Sequence, residues 1–165
     1  SITEVVSIAS DAMLLRDGRL EGFDRPSALL LGAAVAGGDI DSFENILDGV
    51  VGESADHLTT VRIGSIEIST RHQNKNSGEN VVVSLGANQI ILAAEQPTNL
   101  SARNILKGTV SEVWSNQGKV FTEVDVGEKF IVELTESALN ELGIAVNNDV
   151  FLIFKSSSVD VFDAR

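Results

Sequence analysis

Glu44-Asn-Ile-Leu-Asp-Gly-Val-Val51 and Arg103-Asn-Ile-Leu-Lys-Gly-Thr-Val110 are two versions of one octapeptide, 59 residues apart, and they decide how the chain is built. The resemblance continues outward from them. Val61-Arg-Ile-Gly64 falls on Val124-Asp-Val-Gly127, and Val81-Val-Val83 with Ile90 falls on Val150-Phe-Leu152 with Val159, where the offset has grown to 69. Self-similarity of this kind marks a repeated structural unit. From Phe43 onward the chain consists of short apolar runs punctuated by Gly, Asn and Ser, with alternation such as Val120, Thr122, Val124, Val126, which is the pattern of β-strands. The extra length of the second copy is Thr135 to Ile144, with Leu139 and Leu142 at helical spacing and Gly143 as a C-cap; the first copy has the polar loop His72 to Gly78 there.

Each copy has roughly 50 to 60 residues and about five short strands, too few to be stable without a neighbour. The expected fold is mainly β: two tandem five-stranded OB-like barrels over residues 43–98 and 99–165. One long twisted meander is the alternative, and it would make the repeat accidental. Residues 1–42 read as a tail of β-hairpin plus helix. Asp11 to Phe23 holds two apolar pieces around an Asp17-Gly18 turn, Asp24 is placed as an N-cap, Pro26 sits in the first helical turn, and Gly37-Gly38 stops the helix.

Composition removes several functions. Among 165 residues, 12 Lys plus Arg stand against 24 Asp plus Glu, a net charge of -12. Sequence-independent nucleic-acid binding and adhesion to an anionic membrane surface both need a basic face, so neither is expected. The absence of Cys excludes a disulfide framework, thiolate metal sites and cysteine nucleophiles, and two histidines, His57 and His72, argue against a multi-histidine metal centre. The longest run of small and apolar residues, Ala28 to Gly38, is about half of the ~20 needed to cross a bilayer. Phosphate-loop, dinucleotide-binding and nucleophile-elbow motifs are all missing, so no catalytic residue and no cofactor are assigned. The chain opens on Ser1 rather than Met and is expected to be a piece of something longer.

Against that acidic background the second copy gathers small donors and cations: Ser101-Ala-Arg-Asn104, then Thr135, then Lys155-Ser-Ser-Ser158. Lys and Arg supply charge, while hydroxyls and backbone N–H groups donate without adding more, which is how anion sites are made. Lys155 closes the apolar strand Val150 to Phe154, so its stem is held and its ammonium lies at a barrel rim. Singly, Lys155 is an ordinary strand-end lysine and Arg103 an ordinary surface charge. Together they suggest a site.

Leu100-Ser-Ala-Arg-Asn-Ile-Leu-Lys-Gly-Thr-Val110, with Glu141-Leu-Gly143 and Lys155-Ser156, closely resembles the molybdenum-binding module of the molbindins and of the molybdate importer's ATPase subunit. The match runs from about Leu100 to Phe162. It implies an OB-like barrel that binds molybdate or tungstate at interfaces between modules. The site it implies consists of Ser101, the Ala102 backbone, Arg103, Asn104, Thr135, Lys155 and Ser156, with metal present only inside the oxyanion. Ala138 stands where some members carry a second hydroxyl. The first copy resembles the same module without its chemistry, since Glu44 replaces Arg103 and Gly86-Ala87 replace Lys155-Ser156; a carboxylate facing a dianion repels it, so this copy reads as a structural partner.

Leu15 to Pro26 resembles the segment that closes the nucleotide domain of ABC-type ATPases, with Phe-Asp-Arg inserted before the proline. The resemblance therefore implies the C-terminal regulatory part of a molybdate ABC importer's ATPase subunit. It is expected to be cytoplasmic, homodimeric, attached to membrane permease subunits through its ATPase domain, and to mediate feedback inhibition of transport. The alternative is a ligand-free dimerisation or docking module of such an ATPase. Trp114, the single tryptophan, is expected to report ligand binding by fluorescence.

Overall fold

The computed structural model describes residues 3–8, 11–25, 42–116 and 118–164. A tail of β1 (Thr3–Ile8), β2 (Asp11–Arg16) and β3 (Arg19–Asp24) leads into the first copy. That copy consists of β4 (Ser42–Ala55), β5 (Leu58–Ile63), β6 (Ile66–Arg71), β7 (Asn80–Gly86), a 3-10 turn (Ala87–Gln89) and β8 (Ile91–Ala93). The second repeats the order as β9 (Asn104–Asn116), β10 (Lys119–Asp125), β11 (Lys129–Thr135), β12 (Asp149–Phe154), a 3-10 turn (Ser156–Ser158) and β13 (Asp160–Asp163), with helix α1 (Glu136–Leu142) after β11. The helix is where the longer second copy predicts it. Thr135 Oγ1 accepts from the Ala138 N–H at 3.1 Å at its start, and Gly143 takes the left-handed conformation at its end.

The fold is mainly β with tandem OB-like modules, as expected, but each module is completed by the other half of the chain. β8 follows β7 in sequence and pairs with β12, while β13 follows β12 and pairs with β7. The hydrogen bonding thus crosses the division expected at residues 98–99. One apolar core serves both halves, with Leu47, Val61 and Val83 of the first packed in the same cluster as Val110, Val124 and Leu152 of the second.

The repeated octapeptide shows how the halves lock. Asn45 is buried; its side-chain Nδ2 donates to the Ile131 carbonyl at 2.9 Å and its Oδ1 accepts from the Ile131 N–H at 2.8 Å. Asn104, its counterpart, donates to the Ser69 carbonyl at 2.9 Å and accepts from the Ser69 N–H at 2.8 Å. Each asparagine therefore acts as one rung of a β-ladder across to the opposite copy, on the equivalent strand (β11 or β6). Both ends of the amide are satisfied, which a buried polar group requires. The octapeptide's glycine sits where neighbouring atoms leave no room for a side chain. A Cβ at Gly49 would lie 2.6 Å from Val61 Cγ1, and one at Gly108 would lie 2.6 Å from the Asp125 carbonyl oxygen. Past these points β4 changes partner from β7 to β5, and β9 from β12 to β10.

The tail extends the first copy's sheet. β2 and β3 form the expected hairpin around Asp17-Gly18, both at positive φ. β1 lies parallel on β4, with Val5 opposite Phe43. Val5 and Ala12 of the tail join Phe43, Ala87, Phe121 and Ile131 in a second apolar cluster, against which Trp114 packs. The helix expected after Asp24 lies outside the described residues.

Candidate oxyanion site

β12 ends in Val150 to Phe154, an apolar run that buries Val150, Leu152, Ile153 and Phe154 and so fixes the position at which Lys155 leaves the sheet. The segment before β9 runs alongside, because Phe154 pairs with Asn104. Between them lies a cavity of about 290 Å³ lined by Leu100, Ser101, Ala102, Ile153, Phe154, Lys155, Ser158, Gln89 and Ile91. The structure thus brings Ser101, Ala102 and Lys155 together, as the sequence pattern predicts. Among the described residues, no protein group hydrogen-bonds or ion-pairs the side chains of Ser101, Lys155, Ser158 or Gln89. Ser156 opens the 3-10 turn beside the cavity, and its carbonyl accepts from the Val159 N–H.

Arg103, Asn104 and Thr135 make protein contacts of their own. Arg103 curls back on its own loop, donating from Nη2 to the Leu100 carbonyl at 2.8 Å and from Nε to the Ser101 carbonyl at 3.2 Å. This arrangement rigidifies the stretch that presents Ser101. Asn104 is the clamp to Ser69 described above. Thr135 pairs with Lys119 at the far end of β10 from the cavity and caps α1. Ser158 and Gln89 line the cavity without having been predicted. Ser158 belongs to the quoted Lys-Ser-Ser-Ser run, but Gln89 comes from the other copy and has no local motif to signal it.

At the first copy's equivalent position the described residues are packed with apolar side chains. Phe43 stands where the second copy has Ala102, and its ring meets Phe121 at a centroid distance of 6.1 Å. Ala87 stands where the second copy has Ser156, buried in the same cluster, and β1 covers the edge of β4 at Ser42 to Ile46. Glu44 accepts from Ser84 Oγ at 2.8 Å. Apolar side chains and the tail occupy what the second copy keeps open. Trp114 belongs to this cluster, so its fluorescence should report docking of the tail rather than events at Lys155.

The family model described as the TOBE domain matches residues 100–161. Over nearly its whole length the chain is similar to molybdenum import ATP-binding proteins ModC. That of Pasteurella multocida (strain Pm70) is 24% identical over 163 residues, covering 96% of this chain and 46% of the relative. That of Rhizobium johnstonii is 27% identical over 165 residues, covering 97% and 46%, and that of Mesorhizobium japonicum is 28% identical over 169 residues, covering 97% and 45%. The chain spans about half the length of the curated relatives it matches and corresponds to their C-terminal region. Among solved structures, the cytoplasmic molybdate-binding protein ModG in a molybdate-bound form has a TM-score of 0.62 at 24% identity, covering 73% of this chain and 96% of that one, a likeness of fold.

Proposed function

We propose, taking residues 100–161 as a TOBE domain and the chain as the C-terminal region of a ModC-like protein, that it binds molybdate or tungstate as a regulatory domain of a molybdate importer. The observation that carries this reading is the cavity at Ser101, Ala102, Lys155 and Ser158. A dianion leaving water needs several charge-assisted hydrogen bonds. This cavity offers an ammonium, hydroxyls and the loop backbone, with no other protein group on these side chains among the described residues. Ser156 contributes from the adjoining turn. Arg103 and Asn104 act by holding the Ser101 loop, and Thr135 by capping α1.

The site performs no chemistry on the anion; its role is to bind. Coupling to an ATPase domain is supported by the tail, because β1 and β4 are neighbours in one sheet and a displaced first copy carries the tail with it. For feedback inhibition the oxyanion must bind one arrangement of the subunits better than another, since equal affinity shifts nothing. A homodimer supplies two such arrangements. Ile91 and Ile105, exposed on either side of buried Ile153 with Ile91 at 64%, support this as a contact face. Permease subunits, ATP hydrolysis and a cytoplasmic position at the membrane belong to the same proposal.

Thermal melting tests the ligand. A ligand that binds only the folded state adds about 2.7 kcal/mol at 100 times its dissociation constant, which raises the midpoint of a chain this size by roughly 5–10 °C. Molybdate or tungstate should do so and sulfate should do so less. An unchanged midpoint at millimolar molybdate would remove the reading and leave a ligand-free docking module in its place.

A further inference from the structure

The oxyanion site, on the reading just given, lies in the second copy, yet one of its walls does not. β8 pairs with β12 in the order Ala93 opposite Phe151, Leu92 opposite Leu152, Ile91 opposite Ile153. β9 pairs on the other side of β12, with Ile105 opposite Ile153. Just past the strand ends stand Gln89, the last residue of the 3-10 turn before β8, Lys155, the residue after β12, and Arg103, the residue before β9. Gln89 and Lys155 both line the cavity, as do Ile91 and Ile153 beneath them. The carboxamide of Gln89 has no hydrogen-bond partner among the described residues, and its Oε1 lies toward Gly86, 3.4 Å from where a Cβ would stand. Arg103, the last of the three, is tied to the Leu100 and Ser101 carbonyls.

From this juxtaposition we infer that Gln89 is a ligand-contacting residue of the oxyanion site, donated by the copy that has lost its own site. A carboxamide Nε2 carries two N–H donors without charge, so it extends the donor set while Lys155 supplies the charge. The exchange of β8 is what delivers it. In a chain whose two modules each kept their own last strand, Gln89 would stay with the first copy, and the cavity would be bounded by second-copy residues alone. The first copy, stripped at Glu44, Gly86 and Ala87, thus still shapes the second copy's site.

The test is calorimetric titration of the full chain with sodium molybdate in a buffer free of phosphate and sulfate. Gln89→Ala should weaken binding on the order of tenfold, the effect of one hydrogen bond to a charged group. Gln89→Glu keeps the shape but sets a carboxylate beside the dianion, and should weaken binding more than about a hundredfold. Gln89→Asn, with a shorter carboxamide, should fall between wild type and Gln89→Ala. Because Gln89 is exposed, each variant should melt as wild type does without ligand. If Gln89→Ala and Gln89→Glu both bind within twofold of wild type while Lys155→Ala loses binding, the site stands and the role of Gln89 is refuted. If wild type itself gives no heat and Lys155→Ala is indistinguishable from it, the oxyanion reading fails and this inference fails with it.

Discussion

Replacing Lys155 by alanine is expected to weaken molybdate binding about a hundredfold or more, while Lys107→Ala leaves it unchanged. Removing one partner of a desolvated charge pair costs ~2–5 kcal/mol, and Lys155 is the only ammonium among the described residues lining the cavity. The effect should be large because Lys155 is the cation that lines the cavity. Arg103, the other cation of the motif, is held by two backbone carbonyls of its own loop. With a net charge of -12 the chain as a whole repels a dianion, so affinity has to come from local donors. Lys107 makes a suitable control because it lies on β9, exposed and outside the cavity lining. Lys75 would be a poor one: its ammonium pairs with Asp163 on β13, so its loss disturbs the exchanged strand. Titration of both variants under the conditions used for wild type measures this, and equal affinities for Lys155→Ala and Lys107→Ala would refute the assignment.

Cutting the chain between residues 98 and 99 is expected to leave two halves that do not fold separately and that regain a cooperative melting transition when mixed. The first half would lack β13, exposing the edge of β7 whose Val81 and Val83 lie in the shared core. It would also carry β8 with no β12 to pair with. The second would lose β8, half of the Asn104–Ser69 clamp, and every first-copy member of the core. Units of this size are marginal even when intact. Circular dichroism melting of each half and of the mixture tests this; a half that melts alone at the midpoint of the intact chain would show the modules to be independent.

These two expectations separate what the sequence discloses from what it withholds. The octapeptide disclosed the repeat because its residues carry constraints that do not depend on which half supplies the neighbour: a buried amide at Asn45 and Asn104, close backbone at Gly49 and Gly108, core side chains at Val51 and Val110. The helix at Glu136 was readable for the same reason, since its cap and stop are local. The exchange of β8 and β13 was not readable. Ile91-Leu-Ala93 has the same apolar alternation whether it pairs with β7's module or with β12, and the choice is made by the path of the chain at Ala87 and Ser156.

The site divides in the same way. Ser101, Ala102 and Lys155 are far apart in sequence, and the pairing of Phe154 with Asn104 across β9 and β12 brings them to one cavity. Arg103, Asn104 and Thr135 were named for the donors they carry, but sequence shows a donor and not its acceptor. In the fold they serve the Leu100 carbonyl, Ser69 and the α1 cap respectively. Gln89 went unnoticed because it sits in the copy judged inert, and only strand exchange brings it to Lys155. Trp114, the single tryptophan, packs against the cluster of Phe43, Phe121 and the tail strands, a place its sequence position does not reveal.

The central claim is that two copies of one module hold one oxyanion site, open at Ser101 and Lys155 and filled by Phe43 and the tail at the equivalent position of the first copy. The stoichiometry of molybdate binding to the full chain, measured by calorimetry, tests it most directly. One oxyanion per chain is predicted, and Lys155→Ala should weaken its binding about a hundredfold or more. Two per chain, or an affinity that Lys155→Ala leaves unchanged, would place a working site elsewhere, such as in the first copy, and contradict the account.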